Sequence, residues 1–318
     1  MVFLGIEIGG TKLQIVAGNG SGEIMGRRRL QVDAAAGGQG IRNQIASAVP
    51  ELIARHSPAG IGVGFGGPVD WQTGQICCSH QVVGWHDFPL GDWLRSQTGL
   101  PVEIDNDANV AALGEAQHGS GRGFDPVFWI NMGSGVGGGL VVGGCLYHGA
   151  VPGECEIGHV RLDKSGTVVE DLCSGWAVDR RIREAAALHP DGPLGRRVRG
   201  MNGGEARHLA EALGERDSVA QAILSELADN LGFALSHVVQ LLHPAVVVVG
   251  GGLSLIGEPL RAAVGEAMSR HVMEAFRPGP QVVLAGLKED SVPVGALALA
   301  AQAAGVLGGR VFLPATGG

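Results

Sequence analysis

The sequence predicts an α/β fold built from two similar halves, and three observations carry that expectation. A strand–glycine–strand pattern at the N-terminus recurs near mid-chain, strands and helices alternate through the second half, and 55 glycines gather in short loops between apolar runs. Recurrence of one unit implies an internal duplication, and alternating strands and helices imply a covered, largely parallel sheet. A length of 318 residues fits two domains and allows a large core.

Residues 3–8 are apolar and strand-like, Gly9-Gly10-Thr11-Lys12 turns, Leu13–Ala17 is apolar, and a third run covers Glu23–Leu30. The spacing predicts an antiparallel meander. A helix follows over 40–56, then a buried strand at Gly60–Gly66, a short strand at Val102–Asp105 and a helix at Ala108–His118. The pattern then repeats: Val127–Met132, a glycine turn over 133–139, Leu140–Val142, and a second turn at Gly143-Gly144. Helical spacing marks 176–188, 204–214 and 218–242, the last ended by Pro244. Ala245–Val249 reads as a strand covered on both faces, followed by Gly250-Gly251-Gly252, a helix over 257–275, a strand at 281–286 and a final helix over 293–307. The Gly-, Pro- and Arg-rich stretch 189–203 is expected to be an exposed loop.

A net charge of -8 argues against a nucleic-acid or anionic-membrane surface, which needs a basic footprint. Five scattered cysteines (77, 78, 145, 155 and 173) do not form a disulfide framework and fit a reducing, cytoplasmic setting. The N-terminus carries no basic segment with a long apolar stretch, so a signal peptide is not expected.

Two stretches, Gly62-x-Gly64-x-x-Gly67 and Gly133-x-Gly135-x-x-Gly138, match the dinucleotide fingerprint by letter. Neither opens a helix, which that fingerprint requires, and a Gly-x-x-x-x-Gly-Lys-Ser/Thr loop is absent. Hairpin turns rich in glycine can instead offer backbone N–H groups to an anion. Either turn alone reads equally as an ordinary hairpin. Two turns on duplicated units, with a third glycine run at Gly250–Gly252, point to a polyphosphate ligand held in one cleft.

Six segments in order resemble the ROK family of sugar kinases and repressors. They are Glu7-Ile-Gly-Gly-Thr-Lys12, Gly64-Phe-Gly-Gly-Pro-Val-Asp70, Asp105-Asn-Asp-Ala-Asn109, Gly133-Ser-Gly-Val-Gly-Gly-Gly139, Glu156-Ile-Gly-His159 and Val248-Val-Gly-Gly-Gly-Leu253. The resemblance spans nearly the whole chain. It implies the actin-like, ribonuclease-H-like ATPase fold, two domains around a cleft, here 1–115 with about 300–318, and 116–299. It implies an ATP- and Mg²⁺-dependent hexose kinase, most simply a glucokinase acting at the 6-hydroxyl. Asp107 is the expected catalytic base, a position that would equally suit a helix cap, with Asp105 as the rival acid. Gly66, Gln81, Asn106, Asp107, Glu156, His159 and Glu170 are the expected sugar contacts. Glu7, Gly9, Gly10, Thr11, Lys12, Gly133, Ser134, Gly135, Gly251 and Gly252 are the expected phosphate and nucleotide contacts.

Departures from the family pattern are informative. The family's zinc cluster needs cysteines after the Glu-x-Gly-His motif, and Val160–Val169 has none, so no structural zinc is expected. Glu7 stands where aspartate is usual and reaches one methylene further. Gln81, in Ser79-His80-Gln81-Val82-Val83-Gly84-Trp85, stands where asparagine is usual, so a sugar other than glucose, or one held differently, is expected. A fructokinase or N-acylmannosamine kinase of the same fold is the near alternative. A non-catalytic sugar-binding relative is the further one. A repressor is disfavoured, because the first glycine turn begins near residue 7 and leaves no room ahead of it for a DNA-reading helix. A homodimer is expected by resemblance.

Overall fold

The computed structural model describes residues 1–79, 81–153 and 155–306. His80, Glu154 and residues 307–318, the last expected in the smaller domain, lie outside the described residues. The chain forms two compact units. One comprises Met1–Asp125, Gly139–Cys155 and the chain from Glu289 on; the other comprises Pro126–Gly138 and Glu156–Lys288.

In the first unit, β1 (Val2–Ile8), β2 (Lys12–Asn19) and β3 (Ile24–Gln31) form the expected antiparallel meander. Helix α1 (Gly37–His56) leads to β4 (Ile61–Phe65), which pairs parallel to β1. A small hairpin, β5 (Val69–Asp70) with β6 (Gln75–Ile76), precedes α2 (Leu90–Thr98), β7 (Val102–Asn106) and α3 (Asp107–His118). Strand β7 runs parallel to β4, giving the order β3-β2-β1-β4-β7. Helix α1 turns Ile41, Ile45, Val49 and Leu52 toward the sheet, where they join Ile6, Ile15 and Val63 in one core. Each such side chain contributes about 1.5–3 kcal/mol by leaving water.

In the second unit, β8 (Val127–Met132), β9 (Val136–Val142) and β10 (Cys145–Leu146) repeat the meander, with β10 and part of β9 grouped with the first unit. The order β10-β9-β8-β11-β12 repeats that of the first sheet. The strand begins at Val136, inside the run expected to turn through Gly139. A Cβ on Gly139 would stand 2.8 Å from that of Ala112, so this glycine serves close packing rather than turning. Helices α4 (Val169–Cys173), α5 (Gly175–Leu188), α6 (Pro193–Arg197), α7 (Leu209–Gly214) and α8 (Ser218–Leu242) follow. The stretch 189–203 is therefore not all loop: Pro193 starts a helical turn, Leu194 is buried, and Asp217 accepts from Leu194 N at 2.7 Å.

Helix α8 stops at Leu242, with His243 in the left-handed region before Pro244. The strand β11 (Val246–Gly250) is buried throughout and lies between β8 and β12 (Gln281–Leu284), parallel to both. Helix α9 (Glu258–His271) connects them and ends four residues before the expected 275, where Val272 turns extended. Helix α10 (Ser291–Ala303) returns to the first unit and packs on α3 and β4, with Val110, Leu113, Ala296 and Leu299 in one cluster. Among the described residues no helix is long and apolar enough to cross a membrane.

Candidate active site

The strand-to-helix junction β7–α3 is built from polar residues that the fold buries. Asn106 caps α3: its Oδ1 accepts from Ala108 N at 2.8 Å and Asn109 N at 3.4 Å. Its amide donates to Gly67 O at 3.1 Å. The cap that sequence alone allowed at Asp107 is thus made by Asn106, because an extended residue one position earlier aims its side chain at the first turn's N–H groups. Asp107 is the first helical residue, where the helix dipole favours an anion. A Cβ on Gly66 would lie 3.4 Å from Asp107 Oδ2 and 3.8 Å from Gly9 Cα. Asp107, Gly66 and the first glycine turn are therefore neighbours.

That turn is closed by Gly9 N donating to Lys12 O at 2.9 Å, and Thr11 is exposed with its carbonyl accepting from Val32 N. Gln81 lies directly on it. A Cβ on Gly10 would sit 1.9 Å from Gln81 Oε1. The segment carrying Gln81 is fixed from α1: Arg42 donates to Gly84 O at 3.0 Å, and its guanidinium lies over Trp85 and Phe88. Gly38 N also donates to Val83 O at 2.8 Å. Burial pushes the Arg42 ionisation down, although it stays a cation at any physiological pH.

Glu7 is enclosed by its own meander. Its carboxylate receives Lys12 Nζ at 3.0 Å and Gln14 Nε2 at 3.0 Å. Buried Gln14 in turn accepts from Arg27 and Arg29, both at 2.9 Å. With each oxygen engaged and an ammonium beside it, Glu7 as it stands does not fit a resident Mg²⁺ ligand.

In the second unit, Gly133 N donates to Gly135 O at 3.0 Å and Gly133 O accepts from Gly175 N at 2.7 Å, while Ser134 is exposed. Glu170, expected among the sugar contacts, turns its carboxylate to this loop. It accepts from Val136 N at 2.8 Å, and a Cβ on Gly135 would come within 2.5 Å of it. Glu156 precedes and His159 ends a short 3-10 turn, both exposed, with 4.0 Å between Oε2 and Nε2. Gly158 in that turn is pressed on Val136 O. Gly251 has φ +80°, a conformation natural to glycine, and Gly252 is exposed. Cys173 is fully buried and desolvation pushes its thiol up to about 12, which makes it a poor metal ligand. Among the described residues no group of three or more His, Cys, Asp or Glu is disposed to hold a metal ion.

The motif reading did not single out Arg42, Trp71 or His148. His148 Nε2 lies 2.5 Å from Asp105 Oδ2, and the His148 ring stacks on Trp71 with centroids 4.2 Å apart. Asp105 and His148 are 43 residues apart, so no local pattern joins them.

Known proteins resemble this chain over nearly its whole length. A glucokinase of Halalkalibacterium halodurans is 30% identical over 308 residues, covering 92% of this chain and 93% of that protein. A ROK family glucokinase from Streptomyces griseus, solved with glucose and AMPPNP, superimposes with a TM-score of 0.82 at 30% identity, covering 95% of this chain and all of that one. A ROK hexokinase from Thermus thermophilus gives 0.79 at 27% identity, covering 95% and 98%. The fold is accordingly the actin-like, ribonuclease-H-like ATPase fold. The ROK family matches residues 3–303, a span that takes in all six motifs and, but for Val2, both sheets, and the chain belongs to that family.

Proposed function

We propose that this sugar kinase transfers the γ-phosphoryl group of ATP, taken up as its magnesium complex, to the 6-hydroxyl of glucose, with Asp107 as general base. The head of α3 carries the reading. Asn106 does the capping, so Asp107 is not required for it, and its Oδ2 lies beside Gly66, close to the first glycine turn. The glucokinase relatives and the glucose and AMPPNP bound in the Streptomyces griseus enzyme support the choice of sugar and donor.

In this reading Asp107 accepts the hydroxyl proton as the sugar oxygen bonds to the γ-phosphorus. The bond from that phosphorus to the β–γ bridging oxygen breaks, ADP leaves, and Asp107 returns the proton to solvent. Glu156 and His159 supply acceptor and donor groups for sugar hydroxyls, and Asn106 contributes the amide N–H that Gly67 does not take. Lys12 and the glycine turns bind phosphate oxygens. Glu170 acts on the second glycine turn rather than on the sugar, since its carboxylate already holds Val136 N. An N-acylmannosamine acceptor is the second reading, favoured by Gln81 in place of asparagine.

The test is ADP release from MgATP across hexoses and N-acetyl amino sugars, beside Asp107→Ala. Turnover on glucose is expected, falling about 10³-fold in the variant with an unchanged melting temperature. Sugar phosphate from none of the sugars, or a fully active Asp107→Ala, would overturn the proposal.

A further inference from the structure

We propose that His148 is a positioning residue for phosphoryl transfer: it holds Asp105 and, through it, the turn that presents Asp107. The inference rests on Asp107 being the base. Asp105 is 3% exposed, one residue from the end of β7. A carboxylate buried that deeply must have its lone pairs engaged.

Its two oxygens face different parts of the chain. Oδ1 accepts from Asn106 N at 2.8 Å and from the Asn109 amide at 2.9 Å, so it grips both ends of the first turn of α3. Oδ2 meets His148 Nε2 at 2.5 Å, and a carboxylate acceptor requires the proton on that nitrogen. The imidazole cannot swing freely, because it lies nearly parallel to the Trp71 indole, 15° between planes, with its side chain 15% exposed. Trp71 directly follows the two-residue strand β5. Three separate stretches of the first unit thus converge on one carboxylate: the β5–β6 turn, the β7–α3 junction and the segment after β10.

The consequence for Asp107 is mechanical. The peptide leading into it is held by Asp105 through Asn106 N, and the Asn106 side chain is held by Gly67 O and by the helix. Removing the His148 donor leaves a buried oxygen unpartnered, and rotation of Asp105 to find another donor would release Asn106 N. A general base must be placed to within a fraction of an ångström, and a shift of 1 Å can cost about 100-fold. Substrate affinity, to which Glu156, His159, Lys12 and the glycine turns also contribute in this reading, should change less.

The experiment compares kcat and KM for both substrates in His148→Leu, His148→Asn and His148→Gln, each checked by thermal melting, with Asp107→Ala as control. Leu offers no donor. Asn is polar but too short to reach Asp105, whereas Gln carries an N–H at about the reach of Nε2. Leu and Asn should lower kcat about 10–100-fold with KM values within about threefold, and Gln should recover to within about threefold of the parent. If His148→Leu fails to fold, the contrast between Asn and Gln decides alone. Equal kcat in Asn, Gln and parent would overturn the role of His148, as would a loss expressed only in KM. An inactive Asp107→Ala in that same assay would leave the base assignment standing, whereas a fully active one would remove the premise.

Discussion

The first glycine turn, between β1 and β2, and the second, between β8 and β9, occupy matching places in sheets of matching strand order. In both, the leading glycine N–H bonds back across the turn, Gly9 to Lys12 O and Gly133 to Gly135 O. They differ in what lies on them. The first carries a neutral amide, Gln81, and stands beside the Lys12–Glu7 pair. The second carries a carboxylate, Glu170, which takes the N–H of Val136. Duplication preserved the backbone while the side chains laid on it diverged. Gly10 and Gly135 are needed because Gln81 and Glu170 lie on them, whereas a Cβ on Gly9 or Gly133 would meet nothing closer than 3.4 Å or 3.3 Å. Gly9, Gly10, Gly133 and Gly135 all keep negative φ, so left-handed conformation is not their reason. Fewer N–H groups are open than the run of glycines implies, since those of Gly9, Gly133 and Val136 already have partners.

The comparison can be sharpened first through stability. In the second unit Arg183 reaches fully buried Glu205 at 2.8 Å, and Gly203 N donates to the same carboxylate. Arg183→Leu should lower the midpoint of urea unfolding, because it removes the partner of a carboxylate that the fold encloses. Arg183→Leu with Glu205→Gln should recover most of that. No loss in the single variant would mean that the pair is incidental. A smaller effect tests the two turns directly. Gly10→Ala should displace Gln81 and raise the sugar KM about tenfold, along with the ATP KM, whereas Gly135→Ala should displace Glu170 and raise the ATP KM alone about tenfold, each worth about 1.4 kcal/mol. A rise in the sugar KM in Gly135→Ala, or none in Gly10→Ala, would refute the distinction between the two turns.

The smallest expected effect is a pH slope. Burial, and secondarily Arg122, hold His118 of the first unit below the ordinary histidine range. The unfolded chain therefore takes up this proton first as pH falls. The stability tied to neutral His118 is complete above about pH 6.5 and is lost as pH drops below it. The melting temperature should fall less between pH 7 and pH 5 in His118→Gln than in the parent, and parallel curves would refute the assignment.

Much of this was legible in the sequence because the informative residues are local. Both meanders, the parallel strands, the end of α8 before Pro244 and the six motifs all follow from neighbours along the chain. Helix α2 was missed, although Pro89 before it and left-handed Gly99 after it bracket Leu90, Trp93 and Leu94. A single short turn-bounded segment gives too few periods to register. Side-chain partnerships were not legible at all. The hold of Glu170 on Val136 N is invisible until the two are side by side, and His148 is one histidine among 11 until Asp105 is beside it. Such pairs depend on tertiary contact, which leaves no period and no fixed spacing.

The packing of α10 against α3 and β4 has a consequence for mutational scanning. A Cβ on Gly295 would stand 1.7 Å from Val110 O, one on Gly62 would stand 2.0 Å from Ala296 O, and one on Gly114 would stand 2.4 Å from Ser291 O. Backbone meets backbone there, so even alanine must prise the helices apart and tilt the one that begins with Asp107. In a saturation library scored by growth on a sugar, these glycines will look as intolerant as any residue that touches substrate. Depletion in such a map would report the tightness of a helix crossing as strongly as it reports chemistry, and only a parallel abundance score will tell the two apart.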